Sequence, residues 1–61
     1  MNATDLKIQK LWRLGLTIPR IAARIGRPAD LERVREGLRR CPECRTLAEE
    51  RGVDLRREDE R

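Results

Sequence analysis

Residues 17–40 read TIPRIAARIGRPADLERVREGLRR, and this stretch decides the fold. Ile18, Ile21, Ala22 and Ile25 recur at i, i+3, i+4 and i+7, which places them on one face of a helix. Thr17 stands where its hydroxyl can cap the first turn. Pro19 is tolerated there because first-turn amides have no partner inside the helix. Gly26 ends the helix, being the residue that most easily takes a left-handed backbone. Pro28 pre-sets the start of a second helix, and Asp30 falls in its opening turn, where the helix dipole favours an acid. Leu31, Val34 and Leu38 form its apolar stripe. The span reads as two short helices joined by a tight turn.

Outward from this pair, the pattern continues in both directions. Asn2 or Thr4 caps a preceding helix, with Asp5 in its first turn. Ile8, Leu11 and Trp12 share one face of it, while Lys7, Lys10 and Arg13 point elsewhere. Gly15 stops that helix, and Leu16 packs back ahead of Thr17 as a staple. Trp12, the one aromatic residue, has the helical spacing of a core anchor rather than of a base-stacking ring. On the C-terminal side Pro42 opens a fourth helix that runs to about Arg51. Leu47 and Ala48 are its apolar residues, Gly52 closes it, and Val53 is placed to touch Ala48 in a Schellman arrangement. The expectation is an all-α domain over residues 1–55: a trihelical helix-turn-helix core with a short fourth helix. Residues 56–61, RREDER, are purely charged and are expected to be a disordered tail.

The segment IAARIG, followed by a short polar turn and a second helix, resembles the helix-turn-helix of the resolvase/invertase-type and homeodomain-like DNA-binding families. The likeness covers about the middle third of the chain. It is carried by Ile21, Ala22, Ile25 and Gly26: the small Ala22 admits the second helix closely, and Gly26 makes the turn. Where those families place a β-branched apolar residue six positions after the turn glycine, this chain has Glu32. Its apolar residues fall at Leu31 and Val34, as a longer turn or a rotated second helix would require. The resemblance implies a small DNA-binding transcriptional regulator. In it Arg33 and Arg40, with Arg39 flanking, would contact bases or phosphates in the major groove, while Arg20, Arg24 and Arg27 would grip phosphates. A second reading stays open. Glu36 and Arg40 are spaced as an ordinary exposed helix pair, Glu32 and Glu36 would repel DNA, and this helix has no Ser, Thr, Asn or Gln. It could instead face a protein, making the chain an adaptor or a phage-type modulator of the host transcription machinery.

Composition narrows the classes further. Sixty-one residues make one small domain that is marginally stable alone and gains from a metal, a disulfide or a partner chain. There is no histidine, and no acid, base and nucleophile cluster is visible, so an enzyme is not expected. The net charge of +4 is uneven: +2 over residues 1–16, +4 over 17–40 and −2 over 41–61. A basic front and acidic rear suit a polyanion-binding face with a separate solvated or partner-binding end. Arginine outnumbers lysine thirteen to two, a bias that a GC-rich genome alone can produce. Residues 1–10 lack the apolar core of a signal peptide, and no apolar run approaches membrane-spanning length. A cytoplasmic protein is expected, binding double-stranded DNA as a homodimer.

Cys41-Pro-Glu-Cys44 is the other informative feature. Two thiols at this spacing can hold half of a tetrahedral zinc (Zn2+) site, and the chain has no further cysteine. Two chains could complete the site with Cys41 and Cys44 from each. The pair could also be redox-active or disulfide-bonded, since a helix N-terminus lowers a thiol pKa, although no βαβ pattern surrounds it. Two reduced, partly buried thiols are the third reading.

Overall fold

Four α-helices succeed one another among the described residues of the computed structural model, which covers residues 2–26 and 30–56. They are α1 (Ala3–Arg13), α2 (Ile18–Arg24), α3 (Leu31–Arg39) and α4 (Pro42–Arg51), and these residues contain no strand. The all-α expectation therefore holds. None of these helices is long and apolar enough to cross a membrane.

Local chemistry sets each boundary. Asn2 caps α1, its side-chain oxygen accepting from the Asp5 amide at 2.8 Å. Gly15, at φ 100°, turns the chain out of α1. Thr17 precedes α2 with extended backbone, but its hydroxyl makes no capping bond; Pro19 in the first turn leaves fewer amides to cap. Six residues, 25–30, lie between the end of α2 and the start of α3. Asp30 is the cap of α3 rather than part of its first turn, accepting from the Arg33 amide at 3.0 Å. Pro28 and Arg27 lie outside the described residues. Cys41 occupies the cap position of α4. At the other end Gly52 takes φ 70°. There the Val53 amide donates to the Ala48 carbonyl at 2.8 Å and the Gly52 amide to that of Glu49 at 3.2 Å, the Schellman pair expected of this sequence. Arg56 is described, with its amide and guanidinium on Asp54; the rest of the expected tail lies outside the described residues.

The helices pack around α3. It touches α1, α2 and α4, and α1 touches α2 and α4, whereas α2 and α4 flank this central pair without meeting. The core takes Ile8 and Trp12 from α1, Ile18, Ile21 and Ala22 from α2, and Val34 and Leu38 from α3. Cys41, Cys44, Ala48 and Leu55 close it from the α4 side. Trp12 is the anchor its spacing implied. Its ring is buried, its Nε1 donates to the Cys44 carbonyl at 3.1 Å, and the Arg51 guanidinium lies 4.5 Å from the ring centroid.

Gly37 sets how closely α1 crosses α3. It is buried, and its carbonyl accepts from the Gln9 amide nitrogen at 3.1 Å. A Cβ there would stand 3.1 Å from both Asp5 Oδ1 and Ile8 Cδ1. Alanine favours a helix over glycine by about 1 kcal/mol, but overpacking a core costs about 1–3 kcal/mol, and both neighbours are themselves buried. We predict that Gly37→Ala destabilises the fold by about 1 kcal/mol net, read as a lower urea midpoint at unchanged slope; a raised midpoint would show that α1 yields easily.

Candidate functional site

Asp5 decides which cations the surface offers. It sits in the first turn of α1, yet its side chain turns inward toward α3 and is 1% exposed. Arg33 on α3 and Arg40 at its C-cap are seven residues apart, two turns along the same side, and both close on this carboxylate. Arg33 Nη1 lies 2.7 Å from Oδ1 and Arg40 Nη1 lies 2.7 Å from Oδ2. The Arg40 contact is a well-formed hydrogen bond; the Arg33 contact is a close ion pair whose N–H is poorly aligned on the oxygen. Arg40 also donates to Glu36 Oε1 at 2.6 Å. Arg39 is held in the same way, by Glu32 at 2.8 Å and the Leu55 carbonyl at 2.8 Å.

Arg33, Arg39 and Arg40, expected to contact DNA from α3, are therefore all committed within the chain. The physical reason is a buried acid facing α3 together with acids one or two turns along that helix. Arg33 and Arg40 retain side-chain exposures of 24% and 48%, but their charge is already matched. α3 itself is wedged among three neighbours rather than projecting from them.

The unmatched cations lie elsewhere. Arg20 and Arg24 are exposed on α2, one turn apart. Lys7 and Lys10 are exposed on α1. Lys7 Nζ reaches the Arg24 carbonyl at 3.4 Å, so the α1 row adjoins the C-terminal end of α2. Asp5 is the only acid in residues 2–26, and it is buried. Among the described residues no carboxylate forms an ion pair with Lys7, Lys10, Arg20 or Arg24. Exposed acids collect instead on α4 and just beyond it, at Glu43, Glu49, Glu50 and Asp54. Spacing and resemblance do not single out Lys7 and Lys10. The signal that could find them is that lone Asp5: once it is buried, everything charged on α1 and α2 is positive.

Cys41 and Cys44 are free thiols, brought together at the start of α4 where it meets the end of α1. Arg13 Nη2 donates to Cys41 Sγ at 3.5 Å and pairs with Glu43 at 3.4 Å. Among the described residues no three Cys, Asp or Glu side chains converge as a metal site would need. Cys41 is 5% exposed and Cys44 fully buried. An open apolar groove of about 410 Å³ runs beside Trp12, Leu16, Ile18, Leu31 and Val53, with Arg35 and Arg51 on its walls.

The chain matches no protein-family model, and neither a curated protein nor a solved structure matches it.

The Asp5 clamp makes stability depend on pH. Burial pushes the Asp5 carboxyl up, but the close contacts and positive charges of Arg33 and Arg40 together outweigh it and hold it below its ordinary value of 3.8. The folded chain thus binds this proton less readily than the unfolded chain. The clamp contributes in full above that ordinary value and is lost as pH falls below it. Breaking a buried ion pair costs about 3–5 kcal/mol; with both arginines partly solvated, Asp5→Asn is expected to cost about 2 kcal/mol at neutral pH. In urea denaturation the gap between the two proteins should hold from neutral pH down to the ordinary value of 3.8 and close as pH falls below it; a gap that stays constant there would refute the clamp.

Proposed function

We propose that the protein binds double-stranded DNA through the α1–α2 face, as a small regulator that grips phosphates with Lys7, Lys10, Arg20 and Arg24. One observation carries this reading: these four cations are exposed and in no ion pair with a carboxylate among the described residues, on a surface whose only acid is buried. Phosphate contacts supply affinity and orientation without reading sequence. The acidic side chains of α4 would repel the duplex and so orient the protein on it. The succession of α2, turn and α3 is compatible with a helix-turn-helix. With its arginines clamped, however, α3 supplies few base contacts, so little discrimination between sequences is expected. A second copy of the chain would double the phosphate contacts and strengthen an otherwise weak grip.

The test is binding to a labelled duplex, followed by fluorescence anisotropy over a salt series. Four neutralised phosphates give a slope of log K against log salt of about −3 to −4. The double variant Arg20→Glu with Arg24→Glu should weaken binding at least about tenfold, since two attractive contacts become repulsive. Neither residue supports the core, so the fold should survive. A scrambled duplex should bind nearly as well as any other. Absence of binding at low salt, or affinity indifferent to salt, rules the reading out.

The apolar groove beside Trp12 favours the adaptor as the second reading. Its open, largely apolar floor suits an apolar side chain from a partner segment. In that case Trp12 fluorescence would respond to an amphipathic peptide, and the Arg20 and Arg24 reversals would leave that response intact.

A further inference from the structure

Cys41 and Cys44 lie at the α1–α4 junction, away from the cations of α2. We propose that they are a redox-active dithiol that closes to an intramolecular disulfide by exchange with a small disulfide such as oxidised glutathione. This does not rest on the DNA-binding reading, and either can fail without the other.

The geometry gives the two thiols different roles. Cys41 is at the cap position of α4, where the helix N-terminus carries partial positive charge. Arg13 adds a positive charge, its Nη2 3.5 Å from Cys41 Sγ, partly offset by Glu43, which pairs with the same nitrogen at 3.4 Å. Cys41 keeps 5% exposure whereas Cys44 has none, so an arriving reagent meets Cys41 first. Cys44 lies one helical turn on and is fully buried where Cys41 is not; the Cys41 side chain makes no capping bond to the first turn of α4. Pro42 between them fixes the backbone of the first turn.

Proton affinities follow the same division. Burial pushes the Cys41 thiol up, but the neighbouring Cys44 thiol and amide, with Arg13, outweigh it and leave it below its ordinary value of 9.0. Burial, reinforced by the adjacent Cys41 sulfur, pushes Cys44 up to about 12. The thiolate is the nucleophile, so Cys41 attacks and Cys44 resolves.

In the first step the Cys41 thiolate forms a bond to one sulfur of the small disulfide. The reagent's S–S bond breaks, and one thiolate departs with the electron pair and takes a proton from solvent. Cys41 is then uncharged, which removes one cause of the high proton affinity of Cys44. Cys44 releases its proton to solvent, attacks Cys41 Sγ and expels the second small thiolate, which is protonated in turn. Two protein thiols have become one disulfide, and one small disulfide has become two thiols.

The whole protein would be equilibrated in mixtures of reduced and oxidised glutathione, then acid-quenched and weighed by mass spectrometry. The expected product is a single chain lighter by two hydrogens, with no glutathione attached. Trp12 reports the same event independently, because its indole donates to the Cys44 carbonyl and a disulfide alongside quenches it. Cys44→Ser should retain one glutathione on Cys41, and Cys41→Ser none. Arg13→Gln should slow alkylation of Cys41 at neutral pH by about threefold, because losing the guanidinium lowers the thiolate fraction. The proposal is overturned if the folded wild-type chain keeps both thiols at the oxidising end, ends as a glutathione adduct, or links to a second chain. The wild-type measurement decides the matter even if a variant fails to fold.

Discussion

A single buried carboxylate governs this molecule. Asp5 leaves solvent in the first turn of α1 and is met by two arginines, two turns apart, on α3 and at its C-cap. A carboxylate in an apolar core is unfavourable unless matched, so the helices must cross where both guanidinium groups can reach it. Gly37 permits that crossing by offering no side chain at the point of closest approach. Gln9 fastens the same crossing by donating to the Gly37 carbonyl. Beside it Ile8, Val34 and Leu38 fill the interior. In a chain with so small a core, one polar clamp of this kind specifies the register of α1 on α3, which aliphatic packing alone leaves loosely determined.

The helices were legible because their signals are local. Apolar spacing placed Ile21, Val34 and Trp12 inside, and Gly15, Gly26 and Gly52 stand at turns with positive φ. The Schellman end of α4 followed from Gly52 and Val53 alone. The clamp was not legible, because its partners are 28 and 35 positions apart and nothing local distinguishes a buried first-turn acid from an exposed one. The Glu36–Arg40 pair, four apart, was visible in sequence, but only as a surface feature; it proves to be the outer edge of the buried cluster. Gly37 reads in sequence as a weak point in a helix and becomes informative only once Asp5 and Ile8 lie against it. Thr17 shows the opposite failure, since a good capping residue makes no cap bond where proline follows in the first turn.

The candidate site was half legible for the same reason. Arg20 and Arg24 are exposed on α2, as one turn of spacing suggests, whereas charge at Arg33, Arg39 and Arg40 said nothing about availability. An arginine offers itself to a polyanion only if its own chain does not claim it first. The thiols were legible as a pair, but their asymmetry comes from Arg13, 28 positions away, and from the burial of Cys44.

The clamp also limits what α3 can lend to a ligand. Drawing Arg40 away to a phosphate would forfeit its bond to Asp5 and leave that buried carboxylate with one poorly aligned partner. That loss is comparable with what the phosphate bond would return. Lys7, Lys10, Arg20 and Arg24 carry no such penalty, because each already faces water and none balances a buried charge. Binding free energy toward a polyanion would therefore reside on α1 and α2, while α3 keeps its arginines to hold the fold. Sequence discrimination, which needs rigid donors aimed at base edges, would require a surface that this arrangement leaves occupied.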